Sequence, residues 1–148
     1  MSVDRGFVDE NSKARARLKA LVGRLSDADL ARPMPAGWTV AAVLGHVAFW
    51  DQRTLVLLDT WETTGTVPPR LRAEDTDWIN DAGKPFFLAL PPRQGADVAL
   101  AIAEAVDRKI ETLTDDVVTR IAAAGNPINL HRAEHRREHL DEIEAALK

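Results

Sequence analysis

Apolar residues recur at three- and four-residue steps along most of this chain, which is the spacing of amphipathic α-helices. The first such stretch ends near Leu25, and a longer one begins after Thr39, a suitable N-cap, and runs to about residue 62. Helical spacing returns over residues 97–113 and again over residues 129–147. No stretch alternates apolar and polar residues with a period of two, so a β-sheet is not expected.

Two shorter helices are predicted between the long ones. Ser26 is followed three residues later by Asp29, the pattern of a capping box, and the prolines that come next end the helix. Thr114 is predicted to cap a second short helix that ends near Gly125.

Residues 63–94 differ from the rest because prolines recur through them. Since a proline inside a helix removes a backbone hydrogen bond, we expect no long helix here. A short helix over about residues 73–82, ending before Pro85, is predicted. The large apolar side chains of this segment are expected to fold it onto the core, and they are Trp78, Phe86, Phe87 and Leu88.

Four long helices in 148 residues predict an all-α fold, a four-helix bundle in a single domain spanning residues 1–148. About thirty residues join the second long helix to the third, enough to cross back along a helix of roughly 35 Å. Those two helices could therefore run parallel, whereas short loops enforce antiparallel neighbours.

Composition and charge exclude several classes of function. The formal net charge is -4, so a nucleic-acid partner is not expected. Arg132, Arg136 and Arg137 cluster, but acidic residues are interleaved with them, which predicts a solvated helix face. No apolar stretch is long enough for a membrane span, and the first residues lack the pattern of a signal peptide. We therefore expect a soluble, cytoplasmic protein that does not bind membranes.

The chain has no cysteine, which excludes disulfides, thiolate nucleophiles and cysteine metal sites. Its four histidines fall in two places: His46 lies on the second long helix, and His131, His135 and His139 lie on the last. The last three are four residues apart and share one helix face.

Two interpretations of these histidines are open. His46 and two histidines four apart on a facing helix would form a three-nitrogen metal site with open coordination positions, as in catalytic zinc sites. Alternatively, His46 is a hydrogen-bonded core residue and the others belong to a solvated face. Spacing does not identify the metal, because imidazole suits zinc, nickel, copper and iron.

Two segments resemble the motifs of the DinB-like superfamily. Residues 37–51, GWTVAAVLGHVAFWD, resemble its second-helix pattern Trp-Thr/Ser-x-x-x-x-Leu-x-His, which delivers the first metal histidine. Residues 135–143, HRREHLDEI, resemble its terminal His-x-x-x-His-x-x-x-Ile. The end of the first helix at residues 25–30 and the long connection before the third also fit, so the resemblance spans nearly the whole chain.

The resemblance implies an up-down-down-up four-helix bundle with one divalent metal ion on three histidines. Matched to the motifs, His46 is the first ligand, His135 the second and His139 the third. The ion would be zinc or nickel, with iron or manganese as alternatives. His131 falls outside the motif, because the motif's apolar residue four past the last histidine is Ile143. We expect His131 in the first turn of its helix, capping it or lining a pocket entrance.

The family includes thiol transferases and isomerases that use mycothiol or bacillithiol, among them relatives of maleylpyruvate isomerase N-terminal domains, and members without known activity. The resemblance therefore implies a metal-dependent thiol S-transferase acting on a small molecule. The alternatives are a metal-dependent hydrolase and a non-catalytic stress-response or binding module. A homodimer is also open, since a bundle of this size could pair through an exposed helix face.

The residues that would perform the chemistry are less well defined. Asp51 and Glu138 are the acids nearest to the motif histidines, but helical geometry points both away from them, so no catalytic base is predicted. An aromatic wall for the substrate could come from Phe49, Trp50 or Trp78. Trp38, Trp50 and Trp61 are instead assigned to core packing in the first instance.

Overall fold

The computed structural model describes residues 3–148, and this part of the chain is predominantly helical, which confirms the predicted all-α class. Among these residues no helix combines the length and apolar character needed to cross a membrane. The helices follow one another in the order α1 (Gly6–Arg24), α2 (Asp27–Leu30), α3 (Val40–Thr64), α4 (Ala73–Ala89), α5 (Pro92–Thr112), α6 (Asp115–Ala123) and α7 (Arg132–Ala146).

The predicted helix starts are confirmed by their hydrogen bonds. Ser26 and Asp29 form a reciprocal capping box at α2. The Thr39 hydroxyl accepts a hydrogen bond from the backbone N–H of Ala42 at 3.1 Å, which begins α3 at Val40. Thr114 caps α6 in the same way. These caps are local, so the sequence alone could locate them.

A two-stranded hairpin connects α2 to α3. Its strands β1 (Pro33–Met34) and β2 (Trp38–Thr39) are antiparallel and are joined by a 3₁₀ turn over Pro35–Gly37. Ala36 in this turn has a positive φ of 60°. Strands of two residues are too short to show alternation, which is why the hairpin was not expected.

Helix α4 extends to Ala89, although residue 82 was the predicted end, and it runs through Pro85. The expectation that proline would stop the helix is therefore wrong. In an α-helix the residue at position 85 donates its backbone N–H to the carbonyl of Asp81, but proline has no N–H. Asp81 is exposed, so water can supply the missing hydrogen bond.

The expectation that the large apolar side chains of α4 fold onto the core is correct only for Phe87. Trp78 is 59 % exposed and Phe86 75 % exposed, and Leu88 is also exposed. Phe87 packs on α3, where a Cβ atom at Gly45 would lie 3.3 Å from its ring. Helix α4 is thus an outer helix fastened to α3 along one side.

Helices α1, α3, α5 and α7 enclose most of the buried apolar side chains. Helix α3 packs against α5 and α7, and α1 packs against the same two helices. One core cluster surrounds Leu18, Leu44 and Ile143, and a second lies around Leu58 and Ile121. The predicted apolar face of α1 is buried as expected.

Candidate metal centre

Three histidines from two helices meet with their ring nitrogens facing one another. His46 lies in the buried first two turns of α3, while His135 and His139 are one turn apart on α7. The Nε2 atom of His135 is 3.2 Å from that of His46 and 3.1 Å from that of His139. All three ligand atoms lie within 4.8 Å of one another. We call His46, His135 and His139 the triad.

The triad spacing fits a shared cation better than hydrogen bonds among the rings. A ring nitrogen carries either one hydrogen or one lone pair, so a hydrogen bond accounts for only one of the two contacts made by His135 Nε2. Three nitrogens about 2.0–2.1 Å from one tetrahedral zinc ion would lie roughly 3.4 Å apart. Two of the three separations, 3.1 and 3.2 Å, are close to that value, and the third is at most 4.8 Å.

Burial keeps two of the triad imidazoles neutral. His46 is 7 % exposed, and burial lowers its pKa from 6.5 to about 4, with the neighbouring His139 adding to the effect. Burial also lowers the pKa of His135 to about 2, helped by the other two histidines and by Arg132 and Arg136. A neutral imidazole offers the lone pair that a metal ion requires.

The opposite ring nitrogens of the triad have unequal environments. The Nδ1 atom of His139 lies 3.0 Å from a carboxylate oxygen of Glu142, which can accept its hydrogen. Within residues 3–148, the Nδ1 atoms of His46 and His135 are buried and have no hydrogen-bond partner. Metal-binding histidines usually donate this hydrogen to a carboxylate or a carbonyl, so Glu142 supplies that support for His139.

The structure places His131 away from the triad. It occupies the N-cap position of α7, but its side chain makes no capping hydrogen bond, so the expected capping role is wrong. Its ring is exposed and packs edge-on against Phe7, with the centroids 5.7 Å apart. It does not line the cavity described next, so the predicted place at a pocket entrance is wrong as well.

A cavity of about 680 Å³ opens beside His46 and His139, a size that suits a small organic molecule. Its aromatic wall is Trp38, whereas Phe49, Trp50 and Trp78 do not line it, so the predicted wall is wrong. Trp38, on the hairpin, is partly buried against the core, as expected, and also lines the cavity. The lining residues are Met34, Pro35, Trp38, Val43, His46, Asn80, His139, Glu142, Ala145 and Ala146.

Helix α4 closes one side of the triad. The Phe87 ring lies edge-on to His46, with centroids 6.4 Å apart, and stacks on Trp38 at 6.3 Å. Trp50 Nε1 donates a hydrogen bond of 2.8 Å to Asn80 Oδ1, which fastens α4 to α3. Nothing in the local sequence of α4 marks Phe87 as a neighbour of His46 or Asn80 as a residue of the cavity.

The acidic residues divide into three cases. Glu138 is exposed, as expected, and Asp51 points away from the triad into a buried ion-pair network. Glu142 lines the cavity and was missed, although its position three residues after His139 puts it on the same helix face. Spacing could have found it.

The expectation that the arginine cluster is a solvated face is wrong for two of its members. Arg136 is fully buried and Arg132 is 6 % exposed. Both guanidinium groups donate to Asp51, and Arg136 also donates to Asp107. Only Arg137 behaves as expected, since it is partly exposed and pairs with Glu10 near the surface.

A family model described as the DinB superfamily matches residues 10–143, which contain the three triad histidines. No curated protein and no solved structure matches the chain. The match covers most of helix α1, the hairpin, the outer helix and α7 as far as Ile143.

Proposed function

We propose, since this chain belongs to the DinB superfamily, that it binds one divalent metal ion through His46, His135 and His139 and acts as a metal-dependent thiol S-transferase. The observation that carries the proposal is the convergence of three Nε2 atoms beside a cavity of about 680 Å³. Three protein ligands leave room at the ion for a small molecule.

A bound divalent ion on three neutral ligands would keep its positive charge and lower the pKa of a coordinated thiol. The chain has no cysteine of its own, so the reactive sulfur has to come from a low-molecular-weight thiol. Imidazole ligands suit zinc and nickel, which are the ions we propose first, with iron and manganese as alternatives.

The chain's own residues orient the ligands and shape the cavity. Glu142 can accept the hydrogen of His139 Nδ1, and with the hydrogen there the lone pair on Nε2 faces the triad. Trp38, Met34 and Val43 give the cavity an apolar wall that can contact an apolar electrophile. A thiol acceptor with an apolar body fits this lining.

Metal-assisted hydrolysis is the second candidate, and Glu142 is the observation that favours it. A carboxylate at the cavity wall next to His139 could accept a proton from water, a role for which the sequence offered no residue. The two candidates differ in whether a small thiol is consumed. A non-catalytic binding module would consume neither thiol nor water.

We also propose the up-down-down-up bundle, and contacts along α3 and α5 support it. Gly95 near the start of α5 lies against Ala41 near the start of α3, where a Cβ atom would be 3.1 Å from the Ala41 carbonyl oxygen. Toward the other ends, Lys109 pairs with Asp59 at 3.1 Å. Because the starts of α3 and α5 lie together and their later residues also lie together, the two helices run parallel, as the long connection between them permits.

Contacts of α7 support the rest of that topology. Asn11 of α1 accepts a hydrogen bond from the N–H of Ala133, and Arg17 pairs with Asp141, so α1 and α7 run in the same direction. Between α3 and α7 the order is reversed, because His46 meets His139 while the later Asp51 meets the earlier Arg132.

Metal content and thermal shifts test the proposed function. We expect elemental analysis to find about one divalent ion per chain in protein from metal-replete medium, with His46→Ala or His139→Ala losing it and His131→Ala keeping it. A small thiol should raise the melting temperature only when metal is present, because ligand stabilisation requires binding to the folded protein. Two results would contradict the proposal. One is protein that never takes up metal, and the other is a thiol that raises the melting temperature equally in metal-free and metal-loaded protein.

A further inference from the structure

The first half of α7 is anchored by charged side chains instead of apolar ones. Residues 132–139 carry two of the triad histidines, yet the buried residues among them are Arg132, Ala133 and Arg136. The large apolar side chains that α7 buries, Leu140 and Ile143, come only after the triad. Apolar packing therefore secures the end of the helix that follows the triad, not the part that carries it.

Arg136 joins α7 to three other helices. Its Nε donates to Asp51 of α3 at 3.1 Å, and its terminal nitrogens donate to Asp107 of α5 at 2.9 and 2.8 Å. The same nitrogens also donate to the carbonyls of Asn11 at 3.2 Å and Ala103 at 3.5 Å. All five N–H groups of the guanidinium thus have acceptors.

Asp51 ties the arginines to the helix that carries His46. One of its oxygens accepts a 2.7 Å hydrogen bond from Arg132 Nε, and the other accepts from Arg136. Asp51 lies five residues after His46 on α3, and the two arginines each lie three residues before a triad histidine on α7. The ion pairs and the triad are therefore two neighbouring connections between the same helices.

The charges of this cluster exclude a second cation site at the two carboxylates. Arg15 also donates to Asp107, at 3.0 Å, so three guanidinium groups surround two carboxylates.

Buried ion pairs add little net stability compared with apolar packing, but the planar fork of a guanidinium pairs with a carboxylate in only a few geometries. Such contacts select one register between helices.

We propose that Asp51, Arg132, Arg136 and Asp107 form a network that positions His135 and His139 against His46 and thereby sets how tightly the triad binds a divalent ion. This inference rests on the proposed metal site. Ligands have to be held within about 0.5 Å of their productive positions, and the first half of α7 has no other large buried side chain to hold them. These four are positioning residues, and none of them belongs to the triad that would hold the ion.

Two variants test the network. Arg132→Met removes one guanidinium and leaves Asp51 paired with Arg136, whereas Arg136→Lys keeps the charge and loses the paired hydrogen bonds to Asp107. The matched control is Arg17→Met, because Arg17 also joins α1 to α7 through Asp141, at 2.7 Å, but does so near the surface. A second control, Ile121→Ala, lowers stability in the distant core cluster.

Cobalt(II) titration, zinc competition and the cobalt absorption spectrum are measured at a temperature where each variant is folded. We expect both network variants to bind about 10- to 100-fold more weakly, with an altered cobalt spectrum, and both controls to bind as the wild type does. If Arg136→Lys does not fold, Arg132→Met decides the test.

A merely structural role would lower the melting temperatures of the network variants and leave the affinity and spectrum of the folded protein unchanged, and that result would overturn the proposal. So would a loss of affinity in Ile121→Ala as large as in the network variants. Failure of the wild type itself to bind cobalt or zinc would overturn the proposed function together with this inference. Equal affinities of the wild type and the network variants would overturn this inference alone.

Discussion

Replacing Glu142 tests whether a carboxylate beside the triad strengthens metal binding. Its oxygen lies 3.0 Å from Nδ1 of His139, and the Glu142 side chain is 49 % exposed. Loss of such an outer partner typically weakens metal binding about 10- to 100-fold. Because water screens a half-exposed carboxylate, we expect the lower end, about tenfold, which is about 1.4 kcal/mol.

Two substitutions separate the charge of Glu142 from its hydrogen bond. Glu142→Gln keeps an acceptor oxygen and removes the charge, whereas Glu142→Ala removes both. Affinity for zinc, measured by competition with a chromogenic chelator, should therefore decrease in the order wild type, Gln variant, Ala variant. Glu138→Gln is the matched control, because Glu138 lies one turn earlier on α7 and is exposed.

The reasoning would be refuted if Glu142→Ala bound zinc as tightly as the wild type, or if Glu138→Gln weakened binding equally. The second result would show a general effect of charge on α7. Melting curves of the metal-free variants complete the test, since Glu142 is exposed and its removal should leave the fold intact.

Three further predictions concern stability, each measured by urea unfolding. The free energy of unfolding of metal-free protein should fall as the pH drops from 6.5 to about 4, because the lowered pKa values of His46 and His135 mean that the unfolded chain binds protons before the folded one; His46→Gln should reduce this slope but leave the part due to His135, and an unchanged slope would contradict it. Gly83→Ala should not give the gain of about 1 kcal/mol that Ala for Gly usually brings inside a helix, since its Cβ would lie 2.8 Å from the Phe87 ring; a gain of that size would show that the ring moves freely. Leu21→Ala, at a fully buried position, should cost about 2–5 kcal/mol, and a cost below 1 kcal/mol would contradict tight packing there.

Helix positions and histidine spacing could be predicted from the sequence because both depend on neighbours in the chain. The Thr39 cap, the apolar face of α1 and the four-residue step from His135 to His139 are local features. The resemblance to a family, not the spacing, joined His135 and His139 to His46 and left His131 out. The structure brings these three histidines together.

The surroundings of the triad could not be predicted in the same way. Arg132 and Arg136 alternate with acids along α7 and have the local pattern of a solvated face, yet both are buried. The carboxylates that pair with them belong to other helices: Asp51 is 81 residues before Arg132, and Asp107 is 29 residues before Arg136.

The sequence by itself therefore determined the long helices and three of the helix caps, and with the family resemblance it determined the histidines of the candidate site. Only the tertiary structure decided that Trp38 lines the cavity, that Phe87 covers His46 and that the arginines are buried. The physical reason is that periodicity reports which face of a helix is apolar, whereas burial of a charge depends on whether a partner from a distant part of the chain neutralises it.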